Sequence, residues 1–287
     1  MKILITGSYG QLGSELRQIF QQCTDIQAFY TDVDTLDICD ESAVESFFAE
    51  NQPDFVINCA AYTAVDKAEI DIDLCYKINR DAVEILAKTA AKSGTKIVHI
   101  STDYAFDGTA FLPYKEDAIT CAKSIYGKSK VAGEEVLTEY NGKNSIIIRT
   151  AWLYSVFGNN FVKTMLRLGK EREQISVVFD QIGTPTNAVD LAKAIVQIIR
   201  SNNFVSGIYH FSNEGVCSWY DFAKAIFEIK NIACEVLPIE SWQYPVPAPR
   251  PHFGVLNKCK IKKTFDIKIL HWRKSLLNAL KSDVFSQ

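Results

Sequence analysis

The segment LITGSYGQLGSEL, residues 4–16, constrains the fold more than any other part of the chain. An apolar run, KILIT (2–6), stops at Gly7, Gly10 and Gly13 follow at three-residue intervals, and an amphipathic segment begins near residue 11. A strand that turns through glycines straight into a helix builds an anion-binding turn. Gly7 permits the sharp turn, Gly10 lets backbone approach a diphosphate, and Gly13 lets the helix pack closely on the strand. The spacing is GxxGxxG, and its weight comes from the strand before and the helix after it. The pattern then repeats. IQAFYTD (26–32), DFVINCA (54–60), KIVHIS (96–101) and SIIIRT (145–150) read as buried parallel strands, separated by amphipathic stretches near 41–50, 71–93 and 124–140. Strand and helix in alternation predict an α/β fold with a doubly wound parallel sheet.

Beyond Trp152 the alternation loosens. Helices are expected at about 159–171, 187–201 and 218–229, and SWQYPVPAPRPHFG (241–254) is a proline-rich segment of the kind that serves as a functional loop or lid. Residues 1–150 thus read as a Rossmann-like dinucleotide-binding domain. Residues 151–287 read as a smaller substrate lobe that returns segments to the sheet. At 47% hydrophobic and 23% charged, 287 residues sustain a sizeable core. A net charge of -3 and a pI near 5.9 argue against nucleic acid or an anionic membrane as the main partner. No apolar run approaches the ~18 residues of a membrane span, and the opening run is too short for a signal-peptide core. The eight cysteines are scattered with no CxxC pair, which suits reduced thiols in a cytoplasmic protein.

Asp32 closes the second strand 19 residues beyond Gly13, near the spacing of the acid that bonds an adenosine ribose. A carboxylate there repels a 2′-phosphate and favours NADH over NADPH. Asp34 competes for the role, and a simple turn aspartate is the plainer alternative. Asp37 and Ile38 open the next loop, where an adenine ring fits. In NCAAYTAVDKAE (58–69), the small residues Ala60, Ala61 and Thr63 let backbone reach the same cofactor.

YGKSK (126–130) places a phenol and an ammonium at positions i and i+4 of a helix, on one face. A tyrosine titrates near 10, and a cation at ~4–6 Å lowers such a pKa by 1–3 units. Tyr126 is therefore expected to exchange a proton with a substrate oxygen, assisted by Lys130, which also holds a ribose hydroxyl. Thr102, at the tip of the fourth strand in HISTDYAF, orients the same oxygen.

Together these residues resemble the extended short-chain dehydrogenase/reductase family. The runs GSYGQLGSEL, NCAAYTAVDKAE, STDYAFDG, YGKSKVAGE, IRTAWLYS, GNNFVKTMLRL, DQIGTPT and PRPHFGVLN occur in the family's order from residue 3 to about 257. The later runs narrow the likeness to reductases of nucleotide-linked 4-keto-6-deoxy sugars. The resemblance implies reduction, by NADPH or NADH, of the 4-keto group of a dTDP-4-keto-6-deoxy sugar. It implies a catalytic trio of Thr102, Tyr126 and Lys130, cofactor contacts at Gly10, Gln11, Leu12, Asp32, Asp37, Ile38, Ala61, Tyr62 and Thr63, and substrate contacts at Asp103 and Trp152. Some members bridge a homodimer with Mg²⁺ through glutamates. Here Glu15 matches, while Val189 stands where another acid is expected, and monomer and homodimer both stay open. Three relatives compete. A sugar-nucleotide 4,6-dehydratase carries Asp-Glu after the threonine, whereas Tyr104 follows Asp103 here. An epimerase reusing its hydride is a second. The third is a noncatalytic regulatory subunit of methionine adenosyltransferase, against which the intact Thr, Tyr and Lys weigh.

Other polar residues have plainer readings. His99, within a strand, reads as a satisfied core histidine, and His210 and His252 lack a partner at metal-ligand spacing. Arg250, in the proline-rich segment, is either a counter-charge for a diphosphate or a solvated loop charge. Trp152 either stacks on the substrate or fills the gap between lobes, and Asn160 suits a helix cap.

Overall fold

The computed structural model describes residues 1–201 and 203–281. Among them, one six-stranded sheet carries strands β1 (Lys2–Thr6), β2 (Gln27–Tyr30), β3 (Phe55–Asn58), β4 (Lys96–Thr102) and β5 (Ser145–Thr150). The sixth strand, Gly207–His210, comes from the second half of the chain. The order runs Gly207–His210, β5, β4, β3, β1, β2, with every pairing parallel. Ile3, Leu4, Ile5, Val56, Ile57, Val98, Ile146 and Ile148 are all buried, as strands covered by helices on both faces require.

On one face, α1 (Gln11–Phe20) and the helix Ala188–Arg200 pack through Leu12, Leu16, Leu191 and Ile195, and Ile261 and Phe265 join them. On the other, α2 (Glu41–Asn51), Ala82–Ser93 and Ile125–Asn141 pack through Val44, Phe48, Leu86 and Leu137. A separate core of Tyr154, Phe222, Ile226, Trp272 and Leu276 lies wholly beyond residue 151 and joins the helices Phe161–Glu171, Trp219–Lys230 and Trp272–Lys281. Asn160 caps the first of these by accepting from Lys163 N at 3.1 Å.

The amphipathic stretch near 71–93 is not one helix. It runs as Ile72–Tyr76, a π turn at Lys77–Asp81, and then Ala82–Ser93. The cause is Asn79, whose buried amide turns inward. Its Oδ1 accepts from Tyr62 N (2.9 Å), and its Nδ2 donates to Tyr62 O (3.1 Å) and Ser129 Oγ (3.0 Å). The extra residue in the turn ties the loop after β3 to the helix that carries Tyr126.

The proline-rich segment is held over its second half, residues 248–254, at two places. Ala248 N and Arg250 bond Asp66, next to the sheet. Further on, Ile182 N donates to His252 O and Gly254 N to Ile182 O, both at 2.7 Å, in the second lobe.

Candidate active site

The carboxyl ends of the parallel strands open into a cleft of about 900 Å³. Its floor is the turn from β1 into α1. Gly7 sits at φ +63, and a Cβ there would lie 2.6 Å from Ala60 N, so only glycine closes this turn. Gly10 is the N-cap of α1 and, having no side chain, leaves the first N–H groups uncapped. No acid occupies the first turn. By contrast Asp40, Ser124, Asn160, Asn187 and Ser218 cap their helices with side chains. An open helix start facing a cleft suits a diphosphate.

Gly7, Gly10, Gln11, Leu12, Asp32, Asp37, Ile38, Ala60, Ala61 and Thr63 all line this cleft. The Asp32 carboxylate accepts from Tyr9 N (3.1 Å) and Val33 N (3.0 Å), which fixes it at the end of β2. Tyr62 does not line the cleft, because its hydroxyl donates to Asp71 at 2.8 Å.

Thr102, Asp103, Tyr126, Lys130 and Trp152 line the other end. β4 delivers Thr102 at its tip, where its hydroxyl donates to Asp103 Oδ1 and accepts from Tyr104 N, both at 3.2 Å. The helix Ile125–Asn141 delivers Tyr126 and Lys130. Ser124 caps it, and Ile125 N donates to Glu69 at 2.8 Å. It approaches the turn after β4 so closely that a Cβ on Gly127 would lie 2.3 Å from Tyr104 O. The Tyr126 ring meets Tyr104 edge-on at 5.6 Å. Trp152 adopts φ 48, in the left-handed region, and stacks on Trp219 at 3.6 Å, so it is both a cleft wall and a junction to the second lobe.

The electrostatics depart from the sequence expectation that Lys130 lowers the pKa of Tyr126. Lys130 is buried, and its Nζ donates to Ile100 O (2.7 Å) and lies 3.3 Å from His99 Nε2. The Tyr126 phenol is instead raised, by desolvation first, with a hydrogen bond from Thr102 opposing and the Asp103 charge adding to it. Desolvation brings Lys130 down to about 8, against the pull of Glu134. It also raises Asp103 to about 7, and Asp103 Oδ2 has no hydrogen-bond partner among the described residues. That oxygen is itself buried and packs against Gly254, where a Cβ would lie 2.6 Å from it.

Arg250 is not part of the cleft wall. Its guanidinium pairs with Asp66 at 2.6 Å and lies 6.0 Å from the centre of the Tyr104 ring, so it is neither a solvated charge nor in place against this cleft. Glu15 is buried and accepts from Ser155 at 2.6 Å. Among the described residues no group of three His, Cys, Asp or Glu converges as a metal site.

A buried ion pair, Glu134 with Arg149, stands behind Lys130 and is not announced by a motif. Glu134 accepts from Arg149 Nε (2.9 Å) and Nη2 (2.5 Å) and from Ser101 Oγ (2.5 Å). Its signal was present, since Glu134 stands four residues beyond Lys130 on the same helix face.

A glycine turn opening an uncapped helix, with a Tyr-Lys pair and a strand-tip threonine across the cleft, defines an oxidoreductase of the short-chain dehydrogenase/reductase class with a nicotinamide dinucleotide site. The family model described as RmlD substrate binding domain matches residues 1–284, and the chain belongs to that family. It is 41% identical to the dTDP-4-dehydrorhamnose reductase of Aggregatibacter actinomycetemcomitans, over 96% of this chain and 97% of the relative. Among solved structures, a dTDP-4-dehydrorhamnose reductase from Clostridium acetobutylicum superposes with a TM-score of 0.95 at 44% identity, covering 100% of both chains. The dTDP-4-dehydrorhamnose reductase from Bacillus anthracis, in complex with NADP, superposes at 0.92 with 41% identity, covering 97% of this chain and 98% of that one.

Proposed function

We propose that the chain reduces the 4-keto group of dTDP-4-dehydro-L-rhamnose to give dTDP-L-rhamnose, at the expense of NADPH or NADH. The observation that carries this reading is the convergence of Thr102, Tyr126 and Lys130 in one cleft with the open start of α1. The site fits a dinucleotide through that open helix start and through the Asp32 carboxylate at the end of β2. Bound there, the reduced nicotinamide supplies the hydride.

The chain supplies position and a proton. Thr102 turns its hydroxyl from Asp103 Oδ1 to the ketone oxygen, and Tyr126, kept protonated by its raised pKa, donates the phenolic proton to that oxygen as the alcohol forms. Asp103, whose Oδ2 lacks a hydrogen-bond partner among the described residues, lies where it can accept from a sugar hydroxyl, and Trp152 closes the sugar end of the cleft. Tyr104, where a dehydratase needs a second carboxylate, leaves no acid/base pair beside Thr102 for eliminating water. Asp32 tilts the cofactor choice toward NADH. The free cysteines suit work in the reducing cytoplasm.

Turnover is tested by offering the purified chain the 4-keto sugar with and without its nucleotide. Cofactor oxidation with the intact sugar nucleotide, and a strong loss of kcat/KM without the nucleotide, is the expected result, because remote binding energy orients the ketone. Equal rates with the two would refute a nucleotide-sugar substrate.

A further inference from the structure

Lys130 is held from behind by a buried hydrogen-bonded chain that begins three strands away. Thr6 Oγ1 donates to Asn58 Oδ1 (2.7 Å), and Ala60 N donates to the same oxygen (3.2 Å). A backbone N–H is an obligate donor, so the Asn58 amide cannot turn over: its oxygen faces Ala60 and its NH₂ faces His99. Asn58 Nδ2 lies 3.0 Å from His99 Nδ1. Since Nδ2 can only donate, Nδ1 accepts, and the proton of the neutral imidazole sits on Nε2.

That Nε2–H points at Lys130 Nζ, 3.3 Å away. An ammonium has only donors, so ammonium and Nε2–H would oppose each other. A neutral amine resolves the conflict. Its lone pair accepts from Nε2–H while one of its own N–H groups donates to Ile100 O. We propose that His99 is a positioning residue that selects the neutral amine of Lys130, so that the catalytic lysine releases a proton to solvent on entering this contact and regains it on leaving.

The other groups around Nζ leave this assignment standing. Glu134, one turn on along the same helix, favours the ammonium, but its carboxylate is already held by Arg149 and Ser101. Cys59 at the end of β3 and Cys75 on Ile72–Tyr76 remain thiols, because burial raises both. Tyr126, one turn back, is protonated. His99 itself is fully buried with its pKa pressed well below the ordinary value, by burial and then by Lys130, so it does not become imidazolium.

Two measurements decide the matter, and only the second rests on the cofactor-binding reading. Long-range ¹H–¹⁵N NMR of histidine-labelled protein should give His99 as a neutral Nε2–H tautomer from pH 6 to 9. An Nδ1–H tautomer or an imidazolium would overturn the proposal. The second measurement is the pH dependence of the NADH dissociation constant, read by fluorescence, for the wild type and His99→Phe. A hydrogen bond to the neutral form lowers a pKa, so its loss should move the alkaline limb of binding up by about one pH unit. A limb that stays in place, with binding intact, would overturn the role of His99. Absence of NADH binding in the wild type would instead refute the cofactor reading and leave the tautomer to decide the rest.

Discussion

Replacing Tyr126 with phenylalanine removes one hydroxyl from the cleft and, with it, the hydrogen bond to Thr102. The ring still meets Tyr104 edge-on, and Thr102 keeps its bonds to Asp103 Oδ1 and Tyr104 N. No buried partner is stranded, so the expected stability change is under about 1 kcal/mol. The loss falls on the chemistry. A positioned general acid contributes roughly 10²–10⁴-fold, which at about 1.36 kcal/mol per decade is roughly 2.7–5.4 kcal/mol of transition-state stabilisation. Because burial raises the phenol, the acid form persists across neutral pH, and the defect should be constant from pH 6 to 8. The assay is stopped-flow reduction of the 4-keto sugar nucleotide under single-turnover conditions, alongside NADPH affinity by fluorescence and thermal unfolding. Affinity should stay within about twofold, since the phenol is assigned to the ketone oxygen of the substrate. A fall of less than tenfold in the single-turnover rate, with cofactor bound normally, would remove Tyr126 as the proton donor.

Asp32→Ala should raise the NADPH-to-NADH ratio of kcat/KM severalfold, by removing a carboxylate that repels a 2′-phosphate. An unchanged ratio would show that Asp34 or backbone reads that ribose. Asp103 is buried and raised from 3.8 to about 7, so its folded state holds a proton that the unfolded chain has lost. The stability it contributes is complete below pH 4 and is lost as pH rises through 7. Asp103→Asn should therefore gain roughly 2 kcal/mol on the wild type between pH 5 and pH 8 in denaturant unfolding, and a pH-independent difference would contradict the raised pKa. Glu134→Gln leaves the Arg149 guanidinium buried without its carboxylate and should cost about 3–5 kcal/mol. Pairing it with Arg149→Met should recover most of that loss, and a double variant no more stable than Glu134→Gln would show that the pair is not what holds this corner.

The sheet was legible because buried parallel strands leave continuous apolar runs, and the glycine turn because only glycine adopts φ +63 against Ala60. The Tyr-Lys pair was legible from helix periodicity together with the glycine-turn sheet and the strand-tip Ser-Thr that precede it. What the sequence hid were features set by contacts between distant segments. The π turn at Lys77–Asp81 follows from Asn79 reaching Tyr62 and Ser129, and no local pattern announces an amide turned inward. The Tyr126 phenol departs from the sequence expectation because spacing gives the face of a helix but not where a flexible amine ends, here on Ile100 O. Arg250 was placed by composition in a lid and by structure against Asp66, 184 positions away in the chain. His99 did read as a satisfied core histidine, and its partners, Asn58 and Lys130, are what give that burial a consequence.

The central claim is hydride delivery to C4 of a nucleotide-linked sugar with a proton from Tyr126. The most direct test uses reduced cofactor carrying deuterium at the transferable position of the nicotinamide, with dTDP-4-dehydro-L-rhamnose and the purified chain. NMR of the product should find one deuterium at C4, in the L-rhamno configuration, with one cofactor oxidised per sugar reduced. Cofactor that binds but is never consumed would contradict the account and favour a noncatalytic binding role, and a sugar altered without deuterium at C4 would assign the cleft to a different reaction.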